Sequence, residues 1–539
     1  MLVRTLLATV AGLALSLAYP PVGMFWVLPF AVAAFFVTTA GPSTGRSNGR
    51  SNGQSSRPWG PRQAWLPGLA FGAGYCYLLM WWMHAVDVYA WLALSGIEAL
   101  FYGLLGAAVP LLRRLPAWPV WAAVAWSAME VLRSGWPFSG MPWGRLAFAV
   151  VDTPVAPALA YVGATGVSLL LALVGSLLAA LVLRDARPRR TTLVLGLLTT
   201  AAVLLVPALA PWTSAPDSRL RVAAVQGDVP GDGTNVLDDF RQVTDNHVRA
   251  TVQLGHDIED GTAERPDFVL WPENSTAVDP FADLQTRNGI QEASAAVGVP
   301  ILVGAIVDAG PDHVLNQGIV WDPVVGAGDR YTKKHPVPFG EYIPWRHVFG
   351  DSFGKLDMIP RDMLSGTRQE PLRIGGTLVA DAICFDVGYD DGLYEQVDHG
   401  AEMIVVQTSN AMFIHTPQIE QQFEISRVRA IEFGRAVAIA SINGQTGIIG
   451  PDGSVLARVQ PRTTSVLEAV VPLESTLTPG TRVGHWVGRL SGPVTVLALA
   501  VALLGYRRRG ARPDVVAPDE DHRDEDQRDQ TPVPTRSPA

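Results

Sequence analysis

Three short stretches of this chain supply a thiol, an ammonium and a carboxylate, the set of groups needed to make and break acyl bonds. Residues 378–389 read Leu-Val-Ala-Asp-Ala-Ile-Cys-Phe-Asp-Val-Gly-Tyr, an apolar, β-prone run that stops at Cys384 and passes into a polar segment containing Gly388. That pattern presents a nucleophile at a strand end. Glu273 follows Phe-Val-Leu-Trp-Pro at 268–272, and Lys333 sits in Tyr331-Thr-Lys-Lys-His335, which runs on to Glu341. In acyl chemistry the thiolate attacks the acyl carbon and the carboxylate removes and returns the proton. The ammonium stabilises both the thiolate and the tetrahedral oxyanion. A free thiol with a pKa of about 8.5 is mostly protonated at neutral pH. Lys333 should lower that value, and an ionised Glu273 should oppose the lowering.

Taken singly, each residue also has a plain structural reading. A cysteine after a strand is commonly a small buried hydrophobe. Glu273, ahead of Asn274 and Ser275, is placed to cap a helix, and Lys334 reads as a solvated charge. Arg429 and Glu432, at helical spacing, read as a pair, and His335 as a hydrogen-bonding structural group. No His/Cys cluster suggests a metal and no Gly-rich loop stands out to cradle phosphate, so no cofactor is expected. Of the two cysteines, Cys76 lies inside a hydrophobic segment. A disulfide between them is implausible on depth, leaving Cys384 a free thiol.

The elements that must position these groups fall into two kinds. The chain has 539 residues, 48% of them apolar and only 17% charged, too many for one ordinary domain. Long uncharged runs fill the first 210 positions and recur once near the end, which marks an integral membrane protein. Eight segments qualify as spans: 3–19, 24–40, 64–83, 88–112, 117–131, 158–183, 191–210 and 485–506. The first also fits a cleaved leader. If the spans alternate, Arg4, the arginines of 46–62, Arg113-Arg114, those of 184–190 and Arg507–Arg509 share one side. That side is expected to be cytoplasmic. The expected organisation is therefore a seven-span bundle at 1–214, an extracytoplasmic α/β domain at 215–484, an eighth span at 485–506 and a disordered cytoplasmic tail at 507–539. The net charge of −9 is partly a property of that tail, and no nucleic-acid partner is expected.

Within the bundle, the loop 41–62 reads as a flexible linker. The stretch 130–143, with Trp136 and Trp143, reads either as an aromatic belt or as a lipid-facing entrance. Glu98 lies inside the fourth span with no partner apparent from the sequence, and intramembrane carboxylates are costly. In the outer domain, strands are expected at 220–225, 267–271, 301–307, 318–321, 403–407, 437–441, 446–449 and 455–458. Helices are expected near 237–254, 284–297 and 418–432. Such alternation argues for a layered α/β domain.

With these residues laid out, the chain resembles the apolipoprotein N-acyltransferase family, whose outer domain belongs to the nitrilase superfamily. The resemblance rests on an ordered set of short motifs: Gly68-Leu-Ala-Phe-Gly72, Phe138-Ser-Gly-Met-Pro-Trp143, Val225-Gln-Gly-Asp228, Trp271-Pro-Glu273, Lys333-x-His335, Gly340-Glu341-Tyr342, Ile383-Cys384 and Arg429-Ala-Ile-Glu432. It implies a four-layer αββα sandwich on an eight-span frame. It also implies Glu273 as general base and acid, Lys333 as oxyanion stabiliser, Cys384 as nucleophile and Glu341 as an additional glutamate beside them. Phe385 and Asp386 stand where well-known members have Tyr and Glu, and Asp reaches one methylene less. Met412-Phe413-Ile414 replaces their Trp-Phe-Gly near the substrate entrance.

The reaction so implied is ping-pong acyl transfer. Cys384 takes an acyl chain from a membrane phospholipid, and the resulting thioester is attacked by the N-terminal amine of an S-diacylglyceryl-cysteine lipoprotein. The enzyme is expected to act as a monomer in the cytoplasmic membrane. Two rivals remain at this level: a membrane-tethered amidase or nitrilase in which water resolves the thioester, and a transporter with an inactive nitrilase-like module.

Overall fold

The computed structural model describes residues 1–41, 59–183, 189–236, 239–349, 356 and 359–510. Most of the expected linker 41–62, residues 184–188 of the arginine-rich loop, the start of the helix expected at 237 and nearly all of the expected tail lie outside the described residues.

Among the described residues, seven α-helices precede the outer domain and one follows it. They are α1 (Leu2–Ser16), α2 (Leu28–Thr39), α3 (Pro61–Leu79), α4 (Val88–Leu112), α5 (Trp118–Gly135), α6 (Leu159–Leu183), α7 (Arg190–Leu205) and, after the outer domain, α13 (Pro479–Gly510). Each expected hydrophobic segment thus has a helix. The start of α4 is fixed by Asp87, whose carboxylate accepts from the Tyr89 amide at 2.7 Å, an N-cap bond. Helices α3 and α4 meet almost backbone to backbone: a Cβ at Gly68 would stand 2.5 Å from the Tyr102 carbonyl oxygen. Close approach through small residues is how apolar helices associate where no hydrophobic force separates them from lipid. Among the described residues, four helical stretches are long and apolar enough to cross a membrane: Val88–Leu112, Ala156–Leu183, Arg190–Ala208 and Pro479–Gly505. Leu2–Ser16 and Phe25–Thr39 are apolar but shorter. The opening Pro-Arg-Gln of α3, and Glu130 and Arg133 in α5, dilute the apolarity of those two.

The outer domain is built on two sheets. The first contains β1 (Ser218–Gln226), β2 (Phe268–Leu270), β3 (Ile301–Asp308), β4 (His313–Asp322), β5 (Gly326–Thr332), β6 (Asp362–Met363) and β13 (Ser465–Leu473). Its order is β13-β1-β2-β3-β4-β5, with β6 paired to β4. The second contains β7 (Leu372–Ile374), β8 (Thr377–Ile383), β9 (Met403–Thr408), β10 (Val437–Ser441), β11 (Gly447–Ile449) and β12 (Val455–Arg458), in the order β12-β11-β10-β9-β8-β7. Helices α8 (Phe240–Glu259) and α9 (Leu284–Val297) cover the first sheet, and α11 (Asp391–Asp398) and α12 (Gln418–Phe433) the second. A four-residue turn of helix, α10 (Arg346–Phe349), lies in the β5–β6 connection.

Strand periodicity explains the layering. Along β1, Ala223 and Val225 pack with Leu254 and Ile290 beneath the helices. Their neighbours Val222 and Ala224 join Leu302, Val379 and Val405 in the core between the sheets. Both faces of a strand such as β2 are buried, so it reads as a continuous apolar run. The observed layers are the αββα sandwich that the resemblance implied. They also contain elements absent from the expectation, notably β5, β7, β13 and α11.

Candidate active site

Cys384 directly follows β8 and opens a short 3-10 turn, Cys384–Gly388. Its φ is +56°, in the left-handed region that side chains other than glycine seldom occupy. The turn swings the side chain out of the strand's alternation, so the residue sits at the strand end as a nucleophile would need to. Gln422 of α12 holds the outer side of the bend, donating to the Cys384 carbonyl at 3.3 Å and to Thr408 Oγ1 at 3.1 Å. Burial is the main influence on the thiol and pushes its pKa up. The Glu273 carboxylate adds to that, while Lys333 and a hydrogen bond with Thr408 pull against it without prevailing. The group therefore rests as a thiol, and the lowering expected from Lys333 is outweighed by desolvation.

Glu273 and Lys333 follow the C-terminal ends of β2 and β5, at the same end of the first sheet. Lys333 is 1% exposed, and its Nζ lies 3.1 Å from Glu273 Oε1 and 2.6 Å from Glu341 Oε1. Burial disfavours the ammonium, but the two carboxylates more than offset it and raise its pKa. Glu273 does not cap a helix. Its Oε1 also accepts from Asn316 Nδ2 at 2.8 Å, and its Oε2 accepts from the Ser409 amide at 3.0 Å. Glu341 Oε2 accepts from the Val337 amide at 2.8 Å. Burial and the nearby Glu273 raise the Glu341 pKa, with Lys333 opposing. The structure thus brings Glu273, Lys333, Glu341 and Cys384 into one buried electrostatic group. Such a group has the parts for nucleophilic acyl chemistry: a thiol, a carboxylate to take its proton, and a fixed cation for a developing oxyanion.

Asp386 joins the cysteine turn to the lysine loop. It accepts from the Tyr331 hydroxyl at 3.1 Å and from the amides of Lys334 and His335 at 3.1 and 3.0 Å. His335 Nδ1 lies 3.2 Å from its Oδ1. Because Asp386 meets backbone N–H groups directly, its short reach suits this place. Burial favours its neutral form, but the bonds and charge from His335 hold its pKa low. Lys334 is not a solvated charge: its ammonium pairs with Glu395 and, at 3.3 Å, with Asp391 on α11. His335 is, as expected, a structural hydrogen-bonder, and its ring stacks on Tyr389 at 3.8 Å.

Phe385 points the other way, into aromatic side chains of the bundle and of the turn at 411–413 that follows β9. Its ring centre is 5.0 Å from Trp143, 6.0 Å from Trp82 and 6.2 Å from Phe413. Trp143 is buried and belongs to no lipid belt, whereas Trp136 is exposed. The indole N–H groups of Trp82 and Trp143 both donate to Gln421 Oε1, at 3.0 and 2.7 Å. Gln421 Nε2 in turn donates to the Pro20 carbonyl at 3.0 Å. Consecutive glutamines on α12 therefore serve the bundle and the Cys384 turn respectively. Nothing in the sequence distinguishes them from surface glutamines. Met412, in the departure from the family pattern, is exposed, while Phe413 and Ile414 are buried.

One linked, largely buried ion-pair group helps to hold the domain on the bundle. Arg145 Nη1 lies 2.6 Å from Asp390 Oδ1, which Arg429 Nη2 also reaches at 2.8 Å. Arg429 pairs with Glu432 at 2.6 Å, as its spacing suggested, and donates to the carbonyls of Val387, Gly388 and Tyr389, each at 2.9 Å. Glu432 accepts from the Ala164 amide of α6 at 2.6 Å. Deeper in the bundle, Glu98 has a partner after all. Arg133 lies 2.9 Å from it and also donates to the carbonyls of Trp143 and Gly144, at 2.7 and 3.0 Å.

Residues 11–177 match the family described as the apolipoprotein N-acyltransferase N-terminal domain, and residues 221–477 match carbon-nitrogen hydrolase. The apolipoprotein N-acyltransferase of Mycolicibacterium smegmatis is 32% identical over 516 residues, an alignment covering 92% of this chain and 84% of that protein. Those of Methylococcus capsulatus and Chromobacterium violaceum are 29% and 28% identical, with 91% and 94% of this chain covered and 95% of each relative. By sequence along nearly its whole length, and by two matched domains in the same order, this chain belongs to the apolipoprotein N-acyltransferase family.

Proposed function

We propose that this acyltransferase moves an acyl chain from a membrane phospholipid to the N-terminal amine of S-diacylglyceryl-cysteine on apolipoproteins, through a thioester on Cys384. The observation that carries the reading is Lys333 buried between Glu273 and Glu341, within the electrostatic reach of a thiol held in a left-handed turn. Since the thiol rests protonated, Glu273 takes its proton as the sulfur attacks the ester carbonyl. Lys333 meets the negative charge that develops on the carbonyl oxygen. The tetrahedral intermediate collapses, Glu273 returns the proton to the leaving lysophospholipid oxygen, and a thioester remains. In the second half, Glu273 accepts a proton from the attacking amine and passes it to the departing sulfur, so that the C–S bond breaks, the amide forms and Cys384 returns to the thiol.

In this reading Glu341 keeps Lys333 in place, Asp386 fixes the lysine loop against the cysteine turn, and Phe385 seats that turn on the bundle. Eight spans carry the site, with the outer domain at 215–484 on the extracytoplasmic side, the eighth span at 485–506 and the tail 507–539 in the cytoplasm. The arginine distribution supports this orientation. Both substrates are lipids in effect, which accounts for a catalytic domain joined to the bundle at each end, and the chain acts as a monomer. An amidase acting on soluble molecules has no use for such anchoring. The test is mass spectrometry of the Cys384 peptide after incubation with phospholipid vesicles. An acyl adduct that disappears on adding a diacylglyceryl peptide, with matching N-acylated product, is expected. An adduct lost equally fast to water alone would favour the hydrolase, and no adduct would refute the thioester.

A further inference from the structure

Behind the candidate site lies a carboxyl group that the mechanism above leaves unused. Asp381, on β8 three positions before Cys384, is fully buried, and neither of its carboxyl oxygens has a hydrogen-bond partner among the described residues. Its backbone is locked by Gln396, which accepts from the Asp381 amide and donates to its carbonyl, each at 2.9 Å. The side chain faces the other sheet across Gly318 of β4. A Cβ at Gly318 would stand 2.2 Å from Asp381 Oδ2 and 2.5 Å from Gln407 Oε1, so the two oxygens crowd one small space that only glycine leaves open.

Gln407 Oε1 is also buried and has no hydrogen-bond partner among the described residues. The amide cannot turn round to present its N–H₂ group instead, because Nε2 is committed to the carbonyls of Trp271 at 2.6 Å and Leu302 at 3.4 Å. Two acceptors crowded together in a buried site are both left unsatisfied, at a cost a single shared proton removes. Burial above all, and then the charges of Asp386 and Glu273, disfavour an ionised carboxylate here, with only the Ala382 amide in its favour. A carboxylic acid kept neutral by its surroundings is an effective hydrogen-bond donor.

We propose that Asp381 is held as a neutral carboxylic acid whose O–H donates to Gln407 Oε1, and that through Gln407 it fixes the Trp271 carbonyl and hence the placement of Glu273. Asp381 is then a positioning residue. It ties the strand that delivers the nucleophile to the strand that delivers the proton acceptor, across the gap between the sheets. The last step rests on Glu273 being the general base; the protonated Asp381–Gln407 bond does not.

The test uses the full-length enzyme in phospholipid nanodiscs, with Asp381→Asn, which keeps a donor of the same shape, and Asp381→Leu, which keeps only the shape. Asp381→Asn is expected to acylate Cys384 within about threefold of the parent with the same pH profile. Asp381→Leu should lose about tenfold or more in acylation kcat, with the KM for phospholipid unchanged and the pH profile displaced. The infrared difference spectrum of parent minus Asp381→Asn at pH 8 should contain a protonated-carboxyl stretch. A missing band, or Asp381→Asn as impaired as Asp381→Leu, overturns the proposal. Parent-like kinetics in Asp381→Leu overturn the positioning role. Should Asp381→Leu not fold, the band and the Asp381→Asn rate decide. Glu273→Gln separates the two readings: if it acylates at the parental rate, the general-base assignment fails while the band at Asp381 stands.

Discussion

The carboxylate of Glu341 meets two donors that no neutral amide can satisfy together. One oxygen takes the Lys333 ammonium at 2.6 Å and the other the Val337 amide at 2.8 Å. In Glu341→Gln one of those oxygens becomes an N–H₂ group, and whichever way the amide turns, a donor faces a donor. A buried donor left without its acceptor costs about 1–3 kcal/mol. If the whole cost falls on the transition state, through an ammonium no longer held at the oxyanion position, acylation slows by ~5- to 150-fold. The assay is single-turnover acylation of Cys384 by a phospholipid with a reporter chain, read by intact-protein mass spectrometry. The expected pattern is a fall in rate at saturating lipid with half-saturation unchanged, and partial recovery in Glu341→Asp. A Glu341→Gln enzyme within twofold of the parent would refute the satisfiability reasoning. So would a loss expressed only in half-saturation, since that would place Glu341 at the lipid and not at the lysine.

Cys384→Ala should abolish both acyl-enzyme and N-acylated product while leaving the thermal midpoint of the detergent-solubilised protein within a few degrees, because the side chain is small and its Thr408 contact weak; membrane N-acylation surviving this change would end the covalent account. For His335, burial pulls the pKa down, but Asp386 and Asp391 carry it up to about 9 from 6.5. A raised folded-state value contributes stability that is fully present below pH ~6.5 and lost as pH rises through ~9; thermal midpoints should fall over that window, and His335→Gln should flatten the fall. Gln421→Leu should strand the N–H groups of Trp82 and Trp143 and destabilise by about 1–3 kcal/mol each, read as a lower midpoint and a slower Cys384 acylation; unchanged values for both would mean the indoles find other acceptors.

Much of this architecture was legible in advance because hydrophobic period and length carry it. Helix α4 was expected at 88–112 and is found at Val88–Leu112, and α9 and β10 likewise fall on their expected bounds. The elements that escaped notice lack that signal. β5 is Gly-Ala-Gly-Asp-Arg-Tyr-Thr, with little alternation, and it forms because β4 lies alongside to pair with it. The short helix α11 matters chemically, since its Asp391 and Glu395 turn Lys334 from a solvated charge into a paired one. The catalytic candidates were legible because thiol and carboxylate each end an apolar run and the lysine sits in the short motif Lys333-x-His335. Their supports were not: the partners of Glu98, Arg145 and Gln421 come from segments far along the chain, and no local pattern encodes such distances.

The shared carboxylate of Asp390, clasped by one arginine from the bundle and another from the outer domain, bears on how these enzymes can be recombined. A chimera that transplants the outer domain onto a relative's spans would leave Asp390 without its bundle arginine and Glu432 without the Ala164 amide unless the segment bearing Arg145 and the start of α6 travelled with it. The practical unit of exchange in this protein is therefore a discontinuous one, whose borders run through the bundle and not along the linker between its two parts.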